Sequence, residues 1–328
     1  MFRKILILFL VFPMAALTPY WELHLRDNFT HSTPLLWRGK AVLVGTAGFF
    51  VLDLEKRTVS LHRRFPGTRL MGESLVHDLL VVPTLRGFLH CFDLKGAKPL
   101  WSLRRRDSFL AKALVDGGAL YAGTARGILY KLSLETGRVL WRKRLSGPFY
   151  SAPVKMGKAV YIGNIRGDLY GLSSQGRVFC TFSRPWPGPL HISPRGDRLA
   201  FTMGKTLLFS DEDCKIKWKK VFGAPLVAPP AALKNSMVLA PGREVLLLDE
   251  GGRVRWRFKT RSRVVAKPLV KNSFIFVVDS SGFLYQLDFR GSLLKTAYAG
   301  GPSYSPPLVT RGFLLLLTLD GKVTVFKR

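Results

Sequence analysis

The sequence repeats itself about every forty residues, and that period constrains the fold more than any other feature. Residues 113–141 read ALVDGGALYAGTARGILYKLSLETGRVLW, and residues 152–179 read APVKMGKAVYIGNIRGDLYGLSSQGRVF. The first holds three short runs rich in Val, Leu and Tyr, broken at Asp-Gly-Gly, Ala-Arg-Gly and Glu-Thr-Gly and closed by a tryptophan. Turn residues at each break and strand formers between them make a small antiparallel meander.

Aligning the second turn of each unit gives Gly48, Gly87, Gly127, Gly167, Gly204, Gly242, Gly282 and Gly321, spaced by 39, 40, 40, 37, 38, 40 and 39 residues. Glycine suits a tight turn between strands, where φ turns positive. A second ladder follows at Asp53, Asp93, Ser133, Ser173, Ser210, Asp249 and Asp288, short polar side chains that bond back to a turn backbone. Both ladders build turns and are not a catalytic set. A third is aromatic: Trp21, Trp101, Trp141, Trp218 and Trp256 share one phase, with Ser60, Cys180 and Lys295 in the gaps. A large flat side chain once per unit packs each sheet against its neighbour. Trp21 belongs to a unit that lacks its first three strands, and residues 307–328 form one that lacks its tryptophan strand. The fragments complement each other. The expected fold is all-β: an eight-bladed β-propeller of four-stranded antiparallel blades, its ring closed when the N-terminal strand at residues 20–25 joins the C-terminal blade. Closure also protects sheet edges that an open array would expose.

The run Pro-Val, then V-Y-I-G, then G-x-L-Y-x-L-S/D, then T-G-x-x-x-W resembles the repeat of the PQQ-type β-propellers and covers nearly the whole chain after the first residues. Eight blades of this repeat occur in the quinoprotein alcohol dehydrogenases and in the BamB-like factors that assist assembly of outer-membrane β-barrels. The resemblance implies a proline-led innermost strand and an outermost tryptophan strand. Length and N-terminus are similar to the BamB-like group. The resemblance then implies a non-catalytic scaffold with no cofactor, whose partner is an envelope protein such as the barrel-inserting machinery, held through connections between blades; a monomer is expected. The alternative is a PQQ-dependent dehydrogenase, or a degenerate relative, holding PQQ and calcium. Those enzymes resemble the repeat but add adjacent cysteines over the cofactor, whereas Cys91, Cys180 and Cys214 are far apart here.

Other chemistry is not signalled. The six histidines lack metal-ligand spacing, Asp211, Glu212 and Asp213 lack a glycine-centred calcium loop, and there is no nucleophile elbow or phosphate loop. Arg3 and Lys4, an apolar stretch at residues 5–12, then Pro13 and Met14-Ala15-Ala16 have the anatomy of an export signal or short anchor at residues 1–16, leaving 17–328 as one propeller in the periplasm or cell envelope. There an odd cysteine count leaves at least one thiol free. Cys180 in the outer strand of unit four and Cys214 at the next unit's outer corner are within conceivable reach of a bridge, and Cys91 reads as a small buried hydrophobe. The segment Ser183-Arg-Pro-Trp-Pro-Gly-Pro-Leu190 either meets a partner or packs on its own blade.

Charge is the sharpest functional feature. With 51 Lys and Arg against 21 Asp and Glu the net charge is +30, beyond what solubility requires. Units two, three and four carry Arg86, Arg126 and Arg166 just before the turn glycine. In a propeller this turn shares a face with the connections between blades, and those are basic too, notably Arg69, Arg104, Arg105, Arg106, Arg142 and Arg144. These nine are the expected partner- or anion-binding residues, since the arginine fork holds carboxylate or phosphate through two bonds. A solvated rim is the competing reading. Export argues against nucleic acid and leaves acidic protein loops, or anionic lipid or glycan as a third class of ligand.

Overall fold

In a computed structural model the protein is described at residues 16–30, 32–65, 69–186 and 188–328, and the export signal otherwise lies outside the described residues. The strands form eight four-stranded antiparallel sheets. Blades 1 to 7 occupy residues 35–64, 74–104, 114–144, 154–183, 191–221, 231–259 and 269–298. Blade 8 combines residues 308–327 with the N-terminal strand Trp21–His24. That strand lies antiparallel on Lys322–Lys327, with Trp21 opposite Val325 and His24 opposite Lys322, so the two ends of the chain close the ring as expected.

The core is divided among the seams. Each of eight apolar clusters lies between two neighbouring blades; Leu43, Leu52, Leu315 and Val325, for instance, join blade 1 to blade 8. Outer-strand tryptophans extend the packing. Trp101, Trp141 and Trp256 donate their indole N–H to Leu134, Ser174 and Phe289 carbonyls in the next blade, at 2.8, 2.9 and 2.9 Å. Beneath the indoles of Trp101 and Trp141 lie Gly137 and Gly176, where an added Cβ would stand 2.6 and 3.0 Å from the ring. Glycine is therefore required there for close approach as well as for φ. At the seam between blades 4 and 5 Cys180 takes the tryptophan position and Cys214 the glycine position, and the two form a disulfide. Cys91 is free and buried, and burial pushes its thiol up to about 12.

Five ladder positions shift by one residue, three of them in the glycine ladder. In blades 2, 3, 4, 7 and 8 the turn between the second and third strands has three residues and ends in glycine, as where Thr84 N–H donates to the Phe88 carbonyl. Blades 1, 5 and 6 use two-residue turns, so Ala47, Lys205 and Arg243 occupy the structural place assigned to Gly48, Gly204 and Gly242. In blades 5 and 6 positive φ falls on the first turn residue, Gly204 at 54° and Gly242 at 61°, so the last need not be glycine. Likewise Asp211, not Ser210, holds the outer turn of blade 5, accepting the Lys215 N–H at 2.9 Å. Leu61, not Ser60, is the blade 1 counterpart of Trp101, because Ser60 is the unpaired residue of a bulge. Trp186 packs on the next blade: a Cβ at Gly204 would stand 2.1 Å from its ring. Of that connection, Pro187 lies outside the described residues.

Candidate functional site

Strand direction alternates within a blade, so the turns between second and third strands and the connections between blades lie at one end of the ring. Eight of the nine expected arginines are at that end, and Arg142, opposite Tyr130, lies two residues further down the outer strand of blade 3. Arg86, Arg126 and Arg166 occupy the middle of their three-residue turns on three adjacent blades, with exposed side chains. Their backbones are fixed from below: Asp107 accepts the Arg126 N–H at 3.1 Å and Asn164 accepts that of Arg166 at 2.9 Å. The Leu85 N–H, donated to the Arg69 carbonyl at 2.9 Å, ties the preceding connection to the Arg86 turn.

Arg86, Arg104, Arg105 and Arg106 line one open cleft of about 560 Å³ with Asp107 and Ser108. Two of these guanidiniums lie on aromatic faces, Arg104 at 5.4 Å from the Phe88 ring and Arg105 at 5.5 Å from that of Tyr130. The basic runs are only partly connections. Arg104 ends the outer strand Lys98–Arg104, and Arg142 and Arg144 belong to the outer strand Val139–Arg144, so these side chains extend the charge onto the outer wall. The structure brings Arg86, Arg104, Arg105 and Arg106 together at the mouth between blades 2 and 3, with the Arg126 turn tied to it through Asp107, while Arg69 lies on the other side of the Arg86 turn, in the connection between blades 1 and 2. Arg166 continues the arc, and Arg142 and Arg144 flank it.

Among the described residues none of the nine lies within 4.0 Å of a carboxylate oxygen. At the same end Arg257 pairs with Glu244 at 3.3 Å in blade 6 and Lys322 with Glu22 at 2.9 Å in blade 8, and the opposite end of the ring holds most of the ion pairs. There Arg38 pairs with Asp78 at 2.8 Å, Lys217 with Asp211 at 2.8 Å, and Arg255 with Asp249 at 3.1 Å. Those carboxylates are held below the usual range by hydrogen bonds and by the cations beside them.

The axis carries a second set that the repeat pattern did not reveal. A cavity of about 690 Å³ is lined by residues from all eight blades. One residue at the entry to each innermost strand faces it, two places before the residue that pairs with the middle of the second strand. Blades 3, 5 and 7 supply Lys112, His191 and Lys267 at this position; the other five hold threonine, glycine, alanine or proline. Burial lowers His191 to about 4, and burial together with the Lys112 charge lowers Lys267. Glu73, one place further along in blade 2, is buried where its counterparts are mostly alanine or proline. Thr33 donates its N–H to Glu73 Oε1, Oε2 has no partner among the described residues, and burial pushes the carboxyl up to about 8. The signal in the sequence was the pair Ala111-Lys-Ala-Leu114 and Ala266-Lys-Pro-Leu269, four units apart.

Among the described residues no cluster of His, Cys, Asp and Glu has the makings of a metal site, and no helix is long and apolar enough to cross a membrane. No curated protein matches the sequence. Three solved structures share the fold. BamB from Moraxella catarrhalis is 17% identical, with a TM-score of 0.76 over 95% of this chain and 100% of that one. The computationally designed Ika8 protein is 12% identical, with a TM-score of 0.82 over 93% and 98%. Sqt1 of Saccharomyces cerevisiae is 13% identical, with a TM-score of 0.78 over 96% and 100%. At these identities the likeness concerns the fold alone. The family described as outer membrane protein assembly factor BamB matches residues 36–181, 86–206 and 202–327. Those matches run from the first strand of blade 1 to the strand Lys322–Lys327 of blade 8, and the chain is a member of the BamB family.

Proposed function

We propose that this chain is a non-catalytic scaffold that binds partner proteins in the cell envelope and assists the assembly of outer-membrane β-barrels. The observation that carries this reading is the group of arginines around the mouth between blades 2 and 3, none of them ion-paired among the described residues, where blades 6 and 8 and the opposite end of the ring pair their cations. Family membership supports it. Guanidiniums already held by backbone and aromatic contacts lose little freedom on meeting a carboxylate, and their fork suits an acidic loop. Arg86, Arg126 and Arg166 make first contact, and Arg104, Arg105 and Arg106 line the cleft behind them. In this reading the chain holds no cofactor and performs no reaction.

Crosslinking of the exported protein in envelope extracts tests it, beside a variant carrying Arg86→Glu, Arg126→Glu and Arg166→Glu. The expected result is capture of an outer-membrane barrel or its insertion machinery, lost in the variant and weakened by salt, since screening acts over ~8 Å at physiological ionic strength. Capture of the same set by both proteins would reduce the arc to a solvated rim. Retention on anionic vesicles or glycans, with no protein trapped, would move the function to lipid or polysaccharide binding.

A further inference from the structure

The cavity on the axis is separate from the arginine arc and has its own chemistry. Blades 3 and 7 are four apart in a ring of eight, so Lys112 and Lys267, at equivalent positions, approach the axis from opposite sides. Blades 4 and 8 are also opposite, and they place Tyr150 and Tyr304 at equivalent positions in the same cavity, in the segments Tyr150-Ser-Ala-Pro153 and Tyr304-Ser-Pro-Pro307. The cavity is thus bounded by two ammonium groups across one diameter and two phenol rings across another, with His191 between them in blade 5. Among the described residues no acidic side chain lines it. Glu73 lies outside that lining but within electrostatic reach of Lys112; its Oε1 accepts the Thr33 N–H, and burial pushes its carboxyl up to about 8, so it stays largely protonated at neutral pH.

From this arrangement we infer that the axial cavity binds a small organic anion with two acidic groups on a planar frame. One acidic group meets Lys112 and the other Lys267, and the frame lies against Tyr150 and Tyr304. Two cations facing each other with no carboxylate between them repel, and an anion spanning the axis removes that repulsion. Phenol rings offer flat apolar surface and a polar edge to a planar ligand. A cavity of about 690 Å³ accommodates such a molecule with water to spare. Burial first and the Lys112 charge second lower the proton affinity of Lys267, and an anion between the two ammonium groups offsets the second. This inference does not depend on the protein-binding reading of the outer arc.

Calorimetric titration of the full chain with terephthalate, benzoate and inorganic phosphate tests the site directly. Terephthalate presents carboxylates at both ends of a ring, benzoate at one end, and phosphate is a compact anion. The expected order is terephthalate first, with the other two at least tenfold weaker. Lys112→Gln and Lys267→Gln should each weaken terephthalate at least tenfold with no fall in the thermal midpoint, while the triple Arg→Glu variant binds it as the parent does. Absence of terephthalate binding at millimolar concentration overturns the proposal. So does equal affinity for phosphate, which removes the two-ended geometry, or binding lost in the arginine variant and kept in both lysine variants.

Discussion

Two seams show the same slot filled by different chemistry. Between blades 3 and 4 the indole of Trp141 lies over Gly176 and donates to the Ser174 carbonyl. Between blades 4 and 5 the same two places hold Cys180 and Cys214, joined covalently. Spacing is nearly conserved between them, 35 residues in one and 34 in the other, because both connect an outer strand to the outer turn of the next blade. The turn residue takes positive φ whether it is Gly176 at 83°, Cys214 at 62°, Ala97 at 52° or Arg57 at 59°. Backbone conformation is therefore common to these seams, and glycine is selected by the indole above it. Trp21 supports this from the other side. It faces the blade whose turn carries Arg57, and its indole nitrogen is buried without a partner among the described residues.

If the disulfide does at its seam what stacking does elsewhere, its removal should have the largest effect. A bridge closing a loop of 34 residues contributes about 3–4 kcal/mol, chiefly by restricting the unfolded chain. Cys180→Ser with Cys214→Ser should therefore lower stability to urea by that amount, and dithiothreitol should do the same to the parent only. An unchanged midpoint would mean the seam is held by its apolar cluster alone. Trp141→Ala comes next, at about 2–3 kcal/mol for a half-buried indole and its hydrogen bond. A loss under ~0.5 kcal/mol would show that the indole merely covers the seam.

Neither an indole nor a disulfide titrates, so pH separates the seams from the axis. Glu73 has a carboxyl near 8 in the folded protein against 4.5 when unperturbed. The folded state keeps a proton that the unfolded chain releases. Its contribution is complete below about 4.5 and is lost as pH rises toward 8, at up to about 1.4 kcal/mol per pH unit. Glu73→Gln should flatten the stability profile in that window. An identical slope in both proteins would assign the dependence to other groups.

The ring, its eight blades and its closing strand were legible because they rest on periodicity and on two terminal fragments that complete one another. The errors of one residue at Gly48, Gly204, Gly242, Ser210 and Ser60 have a single origin. A turn shortened by one residue, or a bulge, changes local phase while glycine and serine remain common nearby. The arginine arc was visible because its three members share one turn type. Lys112, His191 and Lys267 were not, because connections of unequal length precede them and only the pairing of each inner strand reveals their equivalence. Cys180 and Cys214 lay at the right places, but sequence alone left their pairing open.

The strand Trp21–His24 also sets an order of events. Its partners lie about 300 residues away, so it is synthesised before the other strands and can be docked only once Lys322–Lys327 has been made. Joining ends that far apart in an unstructured chain costs about 5 kcal/mol of loop entropy, far more than four strand residues return. Once seven seams have assembled, the same ends are already neighbours and that cost has been met piecemeal. Docking of the first strand is then the completing step, and until it occurs Lys322–Lys327 presents an open edge to any other extended chain.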